Sequence, residues 1–270
     1  MAPPSQQHGR RSPTLMGTAF VILAVVMLAI LLGPLLMDGS EILKALRGGS
    51  EAHRKADCQN HLKRIGLALQ NYLSVYGTFP PAYIADSHGR LMHSWRVLIL
   101  PYAEKWDNSS HYQEIYDAYD FSEPWDGPDN RRLLERMPDI YRCPSDSYAP
   151  PGTTNYVAVI GNETAWPFSA SRAASEFTDG LATTLLVVET TDRNIPWLAP
   201  IDLDFTYFDP RINPPSKYGI ASQHAARQRW PGGAMALIAD GAVRYFDDKT
   251  DPALIRALLT VAGGEPVTFP

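Results

Sequence analysis

Residues 51–81 read EAHRKADCQNHLKRIGLALQNYLSVYGTFPP and decide the fold, because they carry the clearest helical period of the chain. Apolar or weakly polar side chains recur there at steps of three and four residues, which places them on one face of a helix. These residues are Cys58, Leu62, Ile65, Leu69, Tyr72 and Tyr76. Gly77 is placed to end the helix in a left-handed conformation, and Pro80 with Pro81 predicts an extended exit.

An apolar stripe on a helix needs a cover, and most of the chain after residue 81 is typical of strands and loops. We therefore predict an α+β fold in which this long amphipathic helix is the spine and packs on a mainly antiparallel β-sheet with large loops. The side chains expected under the sheet are those of Leu62, Ile65, Leu69 and Leu73. His61 is expected on a different face of the helix, where substitution should be tolerated.

The composition is that of a folded protein without a nucleic-acid partner. About 45% of the residues are hydrophobic and 10% are aromatic, which is enough for a packed core. The formal net charge is -5, and nothing in the sequence suggests a basic groove. The two cysteines lie far apart and the 7 histidines are scattered, so we expect no metal ion and no cofactor.

Residues 15–37, LMGTAFVILAVVMLAILLGPLLM, contain no charged side chain, and roughly 20 apolar residues in a helix cross a bilayer core. We predict a transmembrane helix that makes the lipid bilayer a partner. A cleaved signal peptide and a buried core helix are the alternatives, although signal peptides usually have a shorter apolar run and a small-x-small cleavage site. Arg10 and Arg11 precede the run whereas Asp38 and Glu41 follow it, so we expect the N-terminus in the cytoplasm and the rest outside.

The predicted transmembrane helix divides the chain into four parts. Residues 1–14 are expected to be a cytoplasmic tail and residues 15–37 the membrane span. Residues 38–57 are expected to be a juxtamembrane linker with a flexible joint at Gly48, Gly49 and Ser50, and residues 58–270 an extracytoplasmic domain.

Cys58 and Cys143 are the two cysteines of the chain. On the outer side of a membrane a disulfide between them is chemically permitted, and it would close a loop of about 85 residues, worth about 4 kcal/mol. Two buried free thiols are the alternative.

Several local patterns predict further elements. Residues 154–160 and 182–189 are typical of β-strands, whereas residues 95–100 fit a buried strand or a short helix equally well. Residues 234–239 and 242–246 flank Asp240 and Gly241, a pair that favours a type I′ hairpin turn. A closing helix should begin at Pro252 with Asp251 as its cap.

The sequence contains no GxSxG, HExxH, GxGxxG or GxxxxGK(S/T) motif and no EF-hand loop, and we expect no catalysis. The best constellation for a hydrolase is His224, Glu189 and Asp240 with the nearby Ser222. An acidic segment could form a cation site, but its irregular spacing favours a solvated loop. Its residues are Asp117, Asp120, Glu123, Asp126 and Asp129. Tyr112, Tyr116 and Tyr119 have a helical spacing that favours packing on the core over stacking on a ligand.

The amino-acid sequence resembles that of a large bacterial family of unknown function, which is associated with prepilin-type N-terminal cleavage and methylation segments. The stretches that carry this resemblance run in order from residue 58 to residue 246. They are CQNHLKRIGLALQNYLSVYGTFPPAY, SWRVLILPY, YDFSEPWDGPDNRRLL, YRCPSD, TNYVAVIGNETAWP, FTDGLATTLLVVE and WPGGAMALIADGAVRYF. The resemblance implies a pseudopilin-like build: an N-terminal helix, half in the membrane, with a mainly antiparallel sheet packed on its outer half.

Two features depart from that family. Prepilins carry a glutamate at the fifth mature position, whereas residues 15–37 contain none, so a retained membrane anchor is expected. The closing motif of the family is a histidine, nine residues and Asp-Gly. Here Trp230 stands at the histidine position, followed by nine residues and Asp240-Gly241, so no histidine-dependent role is carried over.

These observations favour a membrane-anchored structural or interaction protein that resembles a pseudopilin of type II secretion or type IV pilus-like systems. Its expected partners are other pseudopilin-like or secretion-system proteins. An extracytoplasmic domain that binds a small molecule or a glycan through aromatic loops is the first alternative, and a hydrolase that uses His224 is a weaker one.

Overall fold

The computed structural model describes residues 39–103, 111–146, 149–223 and 232–269, together with residues 23 and 27. The chain divides into two compact units, residues 1–50 and 51–270. In the first unit, residues 39–50 are helical. The second unit contains helices and antiparallel sheets, which confirms the predicted α+β class.

The described helices and strands follow one another along the chain. The α-helices are α1 (Gly39–Tyr76), α2 (Trp95–Leu98), α3 (His111–Ala118) and α4 (Pro252–Leu259). Short 3-10 helices span Leu100–Tyr102, Asn130–Arg136, Asp139–Tyr141, Ala174–Glu176, Leu181–Thr183 and Phe205–Tyr207. The strands are β1 (Tyr83–Ala85), β2 (Leu91–Ser94), β3 (Thr153–Thr154), β4 (Tyr156–Val157), β5 (Val159–Ile160), β6 (Leu185–Glu189), β7 (Ile195–Pro196), β8 (Leu203–Asp204), β9 (Gly233–Ile238) and β10 (Val243–Asp247).

Helix α1 is longer than the sequence predicts. It runs through Gly48, Gly49 and Ser50 without the expected flexible joint. Two glycines inside a helix cost about 2 kcal/mol relative to alanine, but extending a helix that is already formed avoids a second nucleation step. The predicted end is confirmed, because Gly77 has a φ of 75° and its N–H donates to the Leu73 carbonyl oxygen at 2.8 Å.

The stripe on α1 is buried along most of its length. Cys58, Leu62, Ile65 and Leu69 have no exposed surface, whereas Leu73 is only partly buried at the edge of the core. A Cβ atom on Gly66 would lie 2.7 Å from Leu237 Cδ1 on β9, so glycine allows the helix to approach the sheet closely.

The main sheet has four antiparallel strands in the order β10-β9-β6-β4. Alternate residues of β9 join two different core clusters: Met235 and Leu237 pack with the buried face of α1, and Ala236 and Ile238 pack with α4. The sheet is therefore covered on both faces, which explains why β6 and β9 are buried throughout.

The predicted strand at residues 154–160 is broken into three short strands. β3 pairs with β7, β4 pairs with β6, and β5 runs parallel to β8. Between them the backbone bonds to other partners: the Asn155 N–H donates to the Tyr141 carbonyl oxygen at 3.1 Å, and the Ala158 N–H donates to Asp202 Oδ1 at 2.8 Å. Those bonds interrupt the ladder that the alternating pattern predicts.

The predicted hairpin between β9 and β10 is confirmed, but its turn differs. Gly241 has a φ of 92°, whereas Asp240 is not in the left-handed region, so the turn is not type I′. The Gly241 N–H donates to the Ile238 carbonyl oxygen at 2.9 Å, and Ile238 in turn pairs with Ala242. The loop between the paired residues therefore has three residues, 239–241, and ends in a glycine with left-handed backbone conformation.

Other local predictions have clear outcomes. Residues 95–98 form the short helix α2, and Ser94 Oγ accepts from the Arg96 N–H as its cap. The closing helix α4 is confirmed, with Asp251 as its cap and Pro252 at its first position.

The predicted tail and membrane span, residues 1–37, lie outside the described residues apart from residues 23 and 27. Within the part of the chain that the structure describes, no helix has the length and apolar composition of a membrane span.

Candidate functional site

The cysteines meet between α1 and the segment after the 3-10 helix Asp139–Tyr141. Cys58 faces the core from α1, and the Cα atoms of Cys58 and Cys143 lie 5.2 Å apart with their sulfur atoms at bonding distance. The Asn155 side chain fixes the second cysteine, because its Oδ1 accepts from the Cys143 N–H at 2.8 Å. The predicted pairing therefore has the geometry of a disulfide.

Glu189 lies beside this cysteine pair at the end of β6. Its carboxylate is 1% exposed, and its ligand oxygen and the two cysteine sulfurs all lie within 4.8 Å of one another. Oε1 accepts from Ser222 Oγ at 2.7 Å, and Oε2 accepts from the Met235 N–H at 3.2 Å. Cys58, Cys143 and Glu189 are called the cysteine–glutamate cluster below.

Lys55 interacts electrostatically with this carboxylate. Burial lowers the pKa of the Lys55 ammonium, and the charge of Glu189 opposes that shift. The Lys55 Nζ atom also lies 3.4 Å from the centre of the Tyr245 ring, a cation–π contact. The Lys55 amine therefore interacts with both the Tyr245 ring and the charge of Glu189.

Of the four residues considered for a hydrolase site, the structure brings only two together among those that it describes. Ser222 and Glu189 are hydrogen-bonded, as described above. Asp240 lies in the hairpin turn beyond Ile238, a residue that pairs with Leu185 at the opposite end of β6 from Glu189. Its Oδ1 accepts from the Ala242 N–H at 2.9 Å, so the carboxylate shapes that turn. His224 and Trp230 lie outside the described residues.

A buried ion pair that the sequence did not suggest joins α2 to the loop before β8. Arg96 Nη2 lies 2.7 Å from Asp202 Oδ1, and the two side chains are 0% and 1% exposed. The guanidinium also donates to Ser94 Oγ and to the Tyr156 carbonyl oxygen. Burial raises the pKa of the Asp202 carboxyl, and the charge of Arg96 opposes this shift.

Aromatic rings surround this ion pair. Trp95 Nε1 donates to Asp202 Oδ1 at 3.2 Å, and the Tyr141 hydroxyl donates to the Arg96 carbonyl oxygen at 2.6 Å. Asp202 Oδ2 and Trp197 Nε1 have no hydrogen-bond partner among the described residues. The nearest signal in the sequence is a charged residue inside the apolar run SWRVLILPY.

A second polar cluster lies beside a groove of about 390 Å³ on α1. The groove is lined by Asp57, Asn60, His61, Lys63, Arg64 and Leu67. Arg64 donates to Tyr112 and to Asp139 Oδ2, and Tyr112 donates to Asp139 Oδ1. Burial raises the pKa of the Asp139 carboxyl, but the hydrogen bond from Tyr112 and the charge of Arg64 outweigh this effect and lower it.

His61 belongs to the same region and is partly buried. Its Nδ1 donates to the Arg142 carbonyl oxygen at 2.8 Å, next to Cys143 in the chain. Burial lowers the pKa of the His61 imidazole, although the hydrogen bond to Arg142 opposes the shift. The tolerance of substitution at His61 stays a prediction, and a substitution would remove this hydrogen bond.

The acidic segment is organised by Asn130, which is fully buried. Its amide donates to the Asp120 carbonyl oxygen at 2.8 Å, and Glu123 Oε1 accepts from the Asn130 N–H at 2.6 Å. In the described ranges, the cysteine–glutamate cluster is the group with metal-ligand spacing, and the acidic segment is not part of it. Tyr112 and Tyr119 are buried and Tyr116 is partly buried, which confirms their packing on the core.

A model of the family described as "Protein of unknown function (DUF1559)" matches residues 49–175. The chain is therefore similar, over that segment, to a bacterial domain of unknown function. The segment contains the buried part of α1, both cysteines and Arg96, but it ends before Glu189 and Asp202. No curated protein and no solved structure is significantly similar to the chain.

Proposed function

We propose that the chain is a membrane-anchored, extracytoplasmic structural or interaction protein with a pseudopilin-like build. The observation that carries the proposal is the cysteine pair, which ties α1 to the rest of its unit in the geometry of a disulfide. Disulfides persist in oxidising compartments and are rare in the cytosol. The uncharged run at residues 15–37 supplies the anchor that would hold such a domain at the outer surface.

The packing of α1 supports the same proposal. Its buried stripe lies against the antiparallel sheet, with Ile65 and Leu69 in one core cluster with Leu237 of β9. The end of the helix is exposed, since Val75 and Tyr76 are 63% and 56% exposed. A spine helix with an exposed aromatic end suits contacts to neighbouring proteins, because aromatic residues are enriched at protein interfaces.

Site-directed labelling of the full chain tests the topology. Ser87→Cys places a thiol in the exposed turn between β1 and β2, and Ser5→Cys places one in the N-terminal tail. A membrane-impermeant maleimide should label Ser87→Cys in intact spheroplasts and Ser5→Cys only after permeabilisation. The reverse pattern, or recovery of the chain in the supernatant after centrifugation, would contradict the proposal.

Cross-linking in membranes separates an interaction protein from a small-molecule receptor. A cleavable amine cross-linker should trap discrete complexes with other membrane-anchored proteins, identified by mass spectrometry. Absence of any such complex under conditions that preserve known membrane assemblies would remove the interaction role.

Glycan binding is a second candidate, favoured by a cluster of tyrosine rings at the end of α1. The ring centres of Tyr72 and Tyr76 lie 4.4 Å apart, and the Tyr102 hydroxyl donates to the Tyr76 hydroxyl at 2.8 Å. Tyrosine combines an apolar ring with a polar tip, as a sugar-binding surface requires. A glycan panel probed with the parent and Tyr76→Ala should show binding that the variant loses.

A further inference from the structure

We propose that Cys58, Cys143 and Glu189 form a site for Zn²⁺, or for a similar thiophilic divalent cation, when the two cysteines are reduced. The inference goes beyond the proposed function and does not depend on it. Their spacing in the sequence gives no sign of such a site, because the three residues lie far apart in the chain. The fold brings their ligand atoms within 4.8 Å of one another.

The distances suit a tetrahedral centre. Zinc binds thiolate sulfur at about 2.3 Å and carboxylate oxygen at about 2.1 Å, so two ligand atoms on one ion are separated by roughly 3.5 to 3.8 Å. Reduction moves the sulfurs of Cys58 and Cys143 apart toward that separation. The Glu189 oxygen needs to approach by about 1 Å, a movement within reach of its side-chain torsions.

The surroundings already hold the ligands in place. Ser222 Oγ and the Met235 N–H donate to the two oxygens of Glu189, and Asn155 accepts from the Cys143 N–H. Hydrogen bonds of this kind orient metal ligands in proteins. The side chains of Cys58 and Glu189 are almost completely buried, so the centre would be shielded from bulk solvent.

The charges also balance. Two thiolates and one carboxylate carry three negative charges, which are costly to bury without compensation. A divalent cation supplies two positive charges, and Lys55, whose ammonium interacts with Glu189, supplies the third. With three protein ligands, zinc completes its tetrahedron with a water molecule.

The change between the two states is a two-electron step. A dithiol reductant gives two electrons and two protons to the disulfide, which becomes two thiols while the dithiol becomes a disulfide. Zinc then replaces the two thiol protons, which leave to solvent, so binding should weaken as the pH falls. The same two cysteines thus hold α1 to the segment after the 3-10 helix Asp139–Tyr141, as a disulfide in one state and through a metal ion in the other.

Cobalt is a suitable probe of this site. The full chain, purified in detergent and reduced with a phosphine under anaerobic conditions, is titrated with Co²⁺. We expect one ion per chain and a thiolate-to-cobalt charge-transfer absorption that Zn²⁺ abolishes. The oxidised protein should show neither. A reduced parent protein without this absorption overturns the proposal.

Variants assign the third ligand. Glu189→Gln should lower cobalt affinity at least about tenfold, whereas Glu163→Gln, a control on the exposed surface, should bind like the parent. Equal affinity in Glu189→Gln would overturn the role of the carboxylate. Circular dichroism checks the fold of each variant, and Cys143→Ser replaces Glu189→Gln if the latter is unfolded, with loss of the absorption expected. The labelling test of topology is independent of metal, so the two proposals fail separately.

Discussion

At the scale of single residues, the guanidinium of Arg96 is neutralised by one carboxylate, that of Asp202, which lies 106 positions further along the chain. A buried ion pair contributes little net stability compared with an apolar pair, but the loss of one partner leaves an uncompensated charge in the core. The hydrogen bonds of Arg96 to Ser94 and to the Tyr156 carbonyl oxygen add to this dependence. The pair therefore binds α2, β4 and the loop before β8 together.

Arg96→Met should lower the free energy of unfolding by about 3 to 5 kcal/mol, because the Asp202 carboxyl is left buried without its cationic partner. Urea unfolding of the full chain in detergent, followed by tryptophan fluorescence, measures the change. The double variant Arg96→Met with Asp202→Leu should recover part of the loss, since neither member of the ion pair is then left buried without its partner.

Arg211→Met is the matched control for this prediction. Arg211 pairs with Asp209, but its side chain is 60% exposed, so its replacement should change the free energy of unfolding far less than replacement of Arg96. A similar loss in both arginine variants would show that the buried position of Arg96 does not matter.

The ion pair of Arg96 and Asp202 could not be predicted from the sequence, because its two residues are far apart in the chain. Residues 95–100 fit a buried strand or a short helix equally well, and nothing in their local pattern indicates a partner for Arg96. The carboxylate that neutralises it becomes visible only when the chain has folded. By contrast, the Asp251 cap and Gly77 were predictable, because their bonds lie within four residues.

At the scale of elements, α1 should depend on the buried half of its surface. Leu69→Ala should cost about 2 to 5 kcal/mol, a large share of the roughly 5 to 15 kcal/mol that stabilises a typical domain. Val75→Ala, on the same helix but 63% exposed, should change stability by about 0.5 kcal/mol or less. Thermal unfolding of both variants in parallel checks this difference. Equal midpoints would mean that α1 does not pack on the sheet as described.

The pH dependence of stability should report on two histidines, His61 in α1 and His93 in β2. Burial lowers the pKa of both His61 and His93 in the folded chain. Between the folded pKa and the unfolded value of about 6.5, the unfolded chain binds a proton that the folded chain does not. Stability is therefore fully present above about pH 6.5 and decreases as the pH falls through that window.

The double variant His61→Gln with His93→Gln should remove most of this slope, and His61→Gln alone should remove part of it. Urea midpoints measured between about pH 5 and pH 8 test both expectations. The pKa of the Asp139 carboxyl is lowered in the folded chain, so the stability that its ionised form contributes is lost only at more acidic pH. It therefore does not interfere with the measurement of the histidines. A slope that is the same in the parent and in the double variant would contradict the assignment.

Periodic sequence patterns predicted where helices and strands form, but they did not predict where a strand is broken. The stripe on α1 and the hairpin of β9 and β10 follow from spacing alone, since each depends on neighbours in sequence. The break of residues 154–160 into β3, β4 and β5 depends on partners such as Asp202 and Tyr141, which the local pattern does not contain. The same reason explains the wrong turn type, because the loop length is decided by the pairing of Ile238 with Ala242.

At the scale of the whole molecule, the sequence indicated a helix on a sheet but not the second cover. β9 sends alternate side chains to α1 and to α4, so the sheet is buried on both faces. The predicted closing helix is the element that provides the second cover, and its role follows from the burial of Ile255 and Leu258. The cysteine–glutamate cluster was equally hidden, since its members come from three separate parts of the chain.

The longest-range covalent connection proposed for this molecule is the bond between Cys58 and Cys143, 85 residues apart. When the full chain is exported, non-reducing peptide mapping should recover one cross-linked pair of peptides that contains both residues. Cys58→Ser should lower the free energy of unfolding by about 4 kcal/mol, because the unfolded chain regains the freedom of the closed loop. Ser145→Ala, a buried change close to Cys143, controls for a local loss of packing and should leave the cross-linked peptide in place. Recovery of two freely alkylated thiols from exported, metal-free protein would contradict the disulfide, and the buried cysteines would then act as separate thiols in the core.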